Sequence, residues 1–213
     1  MIDRAPWITY RPELRVLDCT IRDGGLINDS QFTNDQVKAV YHSCVEAGID
    51  YMEIGYKNSL EQFPRDKFGP TRHCDEEYLQ KIVGDHKKKA PQLKLAAMAD
   101  AGGKSDWQHQ IVPAKDSVLS MIRVACYATQ ISEAVEMIHH CHNLGYETTL
   151  NLMAVSVCQD AEIDTVLQLG SKTPICAVVV VDSFGNLYRE QVDTLVRRYA
   201  KAVEGTKKDV GIH

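Results

Sequence analysis

The chain has 213 residues, 44% of them hydrophobic and 25% charged, the proportions of an ordinary folded domain with enough apolar material for a sizeable core. A net charge of −5 and a pI near 5.9 leave no basic field to hold nucleic acid or an anionic membrane, and the one lysine run, Lys87-Lys88-Lys89, reads as a solvated helix end. The longest apolar run, residues 175–181, is far below the roughly 20 residues a membrane helix needs, residues 1–15 hold no apolar export segment, and seven cysteines without a C-x-x-C pair argue against a disulfide framework or zinc ribbon, so a cytoplasmic location is expected.

In chain order, the first β-branched apolar run is 15–22, read as a strand through Arg22. A helix follows, with Val37, Val40, Tyr41, Cys44 and Val45 on one face; Thr33 with Gln36 forms a capping box at its start, and Gly48 can take the left-handed conformation that closes it. Strand 51–56 comes next, then a helix carrying Tyr78, Leu79, Ile82 and Val83, and strand 93–99. The segment 104–112 has only a weak helical pattern. Beyond it strands 118–125, 148–155, 175–181 and 210–213 alternate with helices carrying Val135, Ile138 and His142, then Ile163, Val166 and Leu167, then Val192, Leu195, Val196 and Tyr199. Cys19, Cys126, Cys158 and Cys176 lie in or beside the apolar runs and read as small hydrophobes.

Strict alternation of near-continuous apolar strands with helices implies an α/β fold with a parallel sheet covered on both faces. Gly24-Gly25 lacks the third glycine and acidic partner of a dinucleotide fingerprint, which favours a (β/α)8 TIM barrel over a doubly wound sheet. Residues 1–213 then form a single barrel domain holding about seven of the eight strands. A barrel of this kind typically takes about 250 residues, so the expectation is a partial chain cut at the seventh strand.

Active sites of such barrels gather at the C-terminal ends of the strands. Those ends are polar here: Arg22-Asp23-Gly24-Gly25; Glu53 with Gly55-Tyr56-Lys57-Asn58; Met98-Ala99-Asp100; Arg123 and Tyr127; Asn151; Asp182-Ser183-Phe184-Gly185-Asn186; and His213. The run Leu17-Asp18-Cys19-Thr20-Ile21-Arg22-Asp23-Gly24-Gly25 resembles the D-x-T-x-R-D-G signature of the HMG-CoA lyase-like superfamily, and Glu53-Ile54-Gly55 and Val210-Gly211-Ile212-His213 fit the same pattern. That superfamily includes HMG-CoA lyase, 4-hydroxy-2-oxovalerate aldolase, the isopropylmalate and homocitrate synthases and the carboxyltransferase domain of pyruvate carboxylase.

The resemblance implies a divalent metal, Mg, Mn or Zn, held by Asp23 and by two histidines of an H-x-H motif, of which His213 is the first. One carboxylate and two imidazoles leave positions open where a 2-oxo acid can chelate. Arg22, always charged, would stabilise the enolate that develops as a carbon–carbon bond breaks. Glu53, read with Arg22 as a catalytic residue, lies in an apolar strand and if buried needs a partner, which Arg22 or the metal shell can supply. Arg123, Asn151 and Ser183 stand where substrate carboxylates or hydroxyls would be held. An Arg-Asp-Gly alone is a common turn; its place at a strand end, with a histidine ending the seventh strand, is what gives it weight.

Lys57 could suggest a Schiff-base aldolase instead, although a lysine at a strand end is more often solvated. His139-His140-Cys141-His142 looks like a metal cluster but falls in the last turn of a helix, where such residues suit the macrodipole. In the hydroxy-oxovalerate aldolases a histidine follows R-D-G-x and acts as base, and Leu26 stands there in this chain. The acyl-CoA synthases carry acidic and glutamine residues after R-D-G, where this chain has Gly25-Leu26-Ile27-Asn28. The resulting expectation is a metal-dependent aldolase-type lyase acting on a small 4-hydroxy-2-oxo acid or related hydroxyacid, working as a homo-oligomer. A Claisen-type acyl-CoA synthase and a non-catalytic accessory barrel are the alternatives.

Overall fold

The structure is a computed structural model that describes Arg11 and residues 13–213. The reading of residues 1–15 as free of an export segment therefore falls mostly outside the described residues. Strands β1 (Leu17–Asp18), β2 (Tyr51–Tyr56), β3 (Lys94–Asp100), β4 (Met121–Cys126), β5 (Glu147–Leu152), β6 (Ala177–Val180) and β7 (Asp209–Ile212) pair in parallel in that order. The helices between them are α1 (Thr20–Gly24), α2 (Asn34–Ala47), α3 (Glu76–Val83), α4 (His86–Lys89), α5 (Trp107–Gln110), α6 (Ile131–Asn143), α7 (Asp160–Gly170) and α8 (Arg189–Ala202). The sheet curls until its two edges face each other: Arg15, just before β1, pairs with Asp209 of β7, and His213, just past β7, reaches Asp23 and Cys19 beyond β1. Among the described residues the fold is a (β/α) barrel of seven strands, open between β1 and β7, as the alternation predicted. No helix among the described residues is long and apolar enough to cross a membrane.

Side chains alternate between the two faces of each strand, and the alternation sorts the residues. Met52, Ile54, Leu95, Ala97, Ile122, Val124, Leu150, Leu152, Val178 and Val180 face outward into the apolar layer shared with the helices. The opposite face looks into the barrel. Leu17, Tyr51, Ala96, Met121 and Cys176 form its floor, and Tyr56, Met98, Ala125 and Met153 pack nearer the mouth. Between these apolar tiers lie Glu53, Arg123 and Asn151, all buried.

A β-bulge in β2 breaks the alternation usefully. Glu53 pairs with Ala96 and Gly55 with Ala97, so one extra residue is inserted and both Glu53 and Tyr56 face inward. Gly55 is required there: a Cβ would come within 1.9 Å of the Thr71 carbonyl oxygen.

Several boundaries differ from the sequence reading. The first strand does not run to Arg22. It stops at Asp18, and Thr20–Gly24 is a helical turn, with the Asp23 amide donating to the Cys19 carbonyl at 2.8 Å. An apolar β-branched run of this length suits a strand or a buried helix turn equally, and closure of the barrel decides between them. The fifth strand ends at Leu152 rather than 155, because Ala154 turns the chain with φ of 54°. The weak segment 104–112 yields only α5. The capping box of Thr33 and Gln36 and the left-handed Gly48 (φ 68°) are both present around α2. Lys87, Lys88 and Lys89 are exposed on α4, a solvated helix end.

Candidate metal centre and active site

Four strands and one helical turn converge at the C-terminal mouth. Glu53 of β2 is fully buried, and its Oε2 accepts from Arg22 Nε at 2.6 Å, Arg123 of β4 at 2.7 Å and the Cys19 thiol at 3.4 Å. A second Arg123 nitrogen donates to Asn151 Oδ1 of β5 at 2.9 Å, and Asn151 Nδ2 donates to the Val124 carbonyl and Thr149 Oγ1. Arg22 also pairs with Asp23, and its remaining nitrogen lies 3.0 Å from His213 Nε2. His213 Nε2 is 3.1 Å from Asp23 Oδ2, while its Nδ1 is 3.9 Å from Cys19 Sγ.

The charges hold one another in place. Burial works against the Arg22 guanidinium, but Glu53 beside it prevails and keeps it firmly protonated. Burial likewise works to raise the Asp23 carboxyl. The bond to His213 and the Arg22 charge outweigh it and hold Asp23 below the usual carboxylate range. The Cys19 thiol is pushed up to about 12, first by burial and then by Glu53. Glu53 Oε1 is buried without a hydrogen-bond partner, an atom that in a folded protein calls for a ligand or water.

Cys19, Asp23 and His213 bring their ligand atoms within 4.8 Å of one another, and among the described residues no other group of three or more His, Cys, Asp or Glu side chains does so. A carboxylate, an imidazole and a thiol are together a donor set for a divalent transition metal, so the residues present fit the ion that the resemblance implied. A cavity of about 420 Å³ runs down the inside of the barrel from His213 and Arg123 past Val179 to Tyr51 and Arg15.

Of the residues singled out in the sequence, Arg22, Asp23, Glu53, Arg123, Asn151 and His213 form this one connected network. Ser183 does not join it: its hydroxyl accepts from the Ala154 amide at 2.8 Å and ties the turn after β5 to the loop after β6. Lys57 is not a solvated strand end. It is buried on the outer face, donating to the Cys74 carbonyl at 2.7 Å and pairing with Glu76 of α3 at 2.9 Å, and so points away from the mouth. In the run His139-His140-Cys141-His142, Cys141 is buried in the outer core and His140 stacks edge-on against Trp107, as a helix end would have them. Cys19 was read as a small hydrophobe and sits instead inside the polar network. The hint was its place in C-x-x-x-D, a spacing that puts both side chains on one face when the segment is helical. At the rim, Asn58 Nδ2 donates to Asp100 Oδ2 at 3.1 Å, and burial raises the Asp100 carboxyl. Leu26 is 58% exposed.

No protein-family model matches the chain. It is 26% identical to an oxaloacetate decarboxylase of Mycobacterium tuberculosis over 96% of its own length and 57% of that protein. It is 26% identical to 4-hydroxy-2-oxovalerate aldolase 3 of Rhodococcus opacus, over 94% of its own length and 57% of the aldolase. The chain thus spans a little over half of each relative. Among solved structures, an N-terminal domain from Bacteroides vulgatus assigned to an aldolase superposes with a TM-score of 0.71 and 25% identity, covering 94% of this chain and 64% of that one.

Proposed function

We propose that the chain is a member of the HMG-CoA lyase-like superfamily and, on that premise, a divalent-metal-dependent carbon–carbon lyase of the aldolase type, acting on a 4-hydroxy-2-oxo acid. The observation that supports this best is the meeting of Asp23 and His213 with a buried, permanently charged arginine at the barrel mouth.

Asp23 and His213 would hold the metal, which when bound supplies a Lewis acid for the 2-oxo acid. Arg22 stands beside both side chains, so its guanidinium would face the oxygen that gains negative charge as the carbon–carbon bond breaks. Its charge is oriented before the reaction, because Glu53 fixes Nε from below. Arg123 spends its donors on Glu53 and Asn151, and it acts as a positioning residue that keeps Glu53 aimed at Arg22. The low exposure of Arg22, Glu53 and Arg123 strengthens the interactions among these three relative to water.

The test is metal-dependent exchange of the pyruvate methyl protons for deuterium, followed by proton NMR on the full-length protein. It reports enolate formation without knowledge of the other product. Exchange that chelator abolishes, and that Asp23→Asn lowers at least about 100-fold with the fold retained, is the expected result. A folded, metal-loaded protein without exchange would sink the proposal.

One observation favours a second reading. Cleaving a 4-hydroxy-2-oxo acid requires a base for the 4-hydroxyl proton, and Leu26 stands where the aldolases carry that base. Decarboxylation of a 2-oxo acid with a 4-carboxylate, as in oxaloacetate, yields the same enolate and needs no such base. Carbon dioxide release from oxaloacetate, set beside aldehyde release from 4-hydroxy-2-oxovalerate, separates the two readings.

A further inference from the structure

We propose that Cys19 is a further protein ligand of this metal centre, beside Asp23 and His213, and makes it select a thiophilic cation of the zinc class over magnesium. The proposal rests on Asp23 and His213 as the metal site and adds a residue to it.

The argument begins with the local backbone. Had residues 19–23 continued as a strand, Cys19 and Asp23 would share a face but stand about 13 Å apart at the usual rise of a strand. As a helical turn, the segment places Asp23 directly over Cys19, closed by the Asp23 amide donating to the Cys19 carbonyl. The i, i+4 pair thus becomes a two-armed donor, joined by His213 from the opposite edge of the barrel. The three ligand atoms lie within 4.8 Å of one another. Bonds of about 2.0–2.3 Å to one tetrahedral ion bring ligands to roughly 3.5 Å, a closure within reach of side-chain rotation at Asp23 and His213, which are 41% and 27% exposed.

Arg123 suits a sulfur ligand, and the ion has to displace the thiol proton from Glu53. The Arg123 guanidinium donates to Cys19 Sγ at 3.7 Å and would remain beside a thiolate, while the thiol hydrogen bond to Glu53 Oε2 at 3.4 Å is given up when the ion binds. When the ion binds, a metal–sulfur bond forms, the S–H bond breaks and the proton leaves to solvent. With Asp23, Glu53 and a Cys19 thiolate set against Arg22, Arg123 and a doubly charged ion, one positive charge remains, which suits a substrate carboxylate. Thiolate favours zinc or cobalt, whereas magnesium prefers an all-oxygen shell. The other two half-buried thiols lack this setting: Cys158 donates to the Ala154 carbonyl, and Cys176 lies on the barrel floor.

The experiment titrates the full-length protein with Co²⁺, reading the sulfur-to-cobalt charge-transfer absorption in the near ultraviolet beside the weaker visible d–d bands. Stoichiometric binding with that absorption is expected in the wild type. Cys19→Ser should abolish the charge-transfer band, weaken Co²⁺ and Zn²⁺ binding by roughly 10–100-fold, and leave Mg²⁺ affinity unchanged. Asp23→Asn should remove the bound metal altogether. Cobalt held in an Asp23-dependent way without sulfur absorption overturns the Cys19 ligand and leaves the underlying site intact. Cobalt binding indifferent to Asp23→Asn overturns both. A second readout needs no variant: Zn²⁺ should slow iodoacetamide alkylation of Cys19 in the wild type by about tenfold or more and leave Cys158 unaffected. Equal alkylation of Cys19 with and without Zn²⁺ overturns the proposal.

Discussion

The barrel interior carries charge at its floor and at its mouth, and the same residue types behave differently in the two places. At the floor, Arg15 pairs with Asp209 and Lys94 with Glu147, while the Tyr51 hydroxyl bridges Arg15 and Glu147 at 3.1 and 3.2 Å. These four ionic side chains keep between 35% and 55% of their surface in water. At the mouth, Arg22, Glu53 and Arg123 are 6% exposed or less, two guanidiniums share one carboxylate oxygen, and the other carboxylate oxygen has no partner. The floor is a set of solvated pairs that close the barrel. The mouth is a desolvated network with spare valence, and spare valence inside a fold is what a ligand site needs.

The sharpest way to break this contrast is Glu53→Gln. It leaves two buried guanidiniums facing a neutral amide, so a loss of about 3–5 kcal/mol is expected in urea denaturation. Loss of less than about 1 kcal/mol would mean that water reaches the mouth and that the two ends of the barrel are alike.

A smaller effect should appear at Asp100 as a dependence on pH. Burial raises this carboxyl in the folded state, so the folded protein holds the proton when the unfolded chain has already released it. Stability at this site therefore falls as pH rises, starting near the ordinary carboxylate value of about 4 and ending above the raised folded value. Asp100→Asn removes that fall and keeps an acceptor for Asn58, so its stability relative to wild type should improve from acid to neutral pH. A constant difference across that range would show that Asp100 is not desolvated.

The smallest effect belongs to the floor. Glu147→Gln should change stability by no more than about 1 kcal/mol, and the difference should shrink further in high salt, because the pair with Lys94 is exposed and screened. A loss comparable to that of Glu53→Gln would erase the distinction.

How far the sequence could be read differs between fold and site. The succession of strands and helices was plain, because outward-facing residues such as Ile122, Val124, Leu150 and Leu152 and helix faces such as Val37, Tyr41 and Cys44 obey periods that burial imposes. The ends of α2 were equally plain, since Thr33, Gln36 and Gly48 act through bonds to their own neighbours. Within the site, Asp23, Arg22 and His213 stood out by motif and by position at element ends. Cys19 and Lys57 did not, for a shared reason. Each lies where regular structure changes, and one residue of phase decides whether a side chain faces the mouth or the outer layer. Lys57 follows the bulge that resets β2, and Cys19 stands where β1 gives way to α1.

Local composition and periodicity therefore determined the α/β class, the seven-strand order of elements and the ends of α2, because those depend on what each segment must bury and how it caps itself. Only the tertiary structure decided the curl that brings His213 back to Asp23, the helical turn that stacks Asp23 on Cys19, and the outward turn of Lys57. These depend on closure of the sheet across some 190 residues of chain, between Arg22 and His213, and no local pattern encodes a contact between such distant segments.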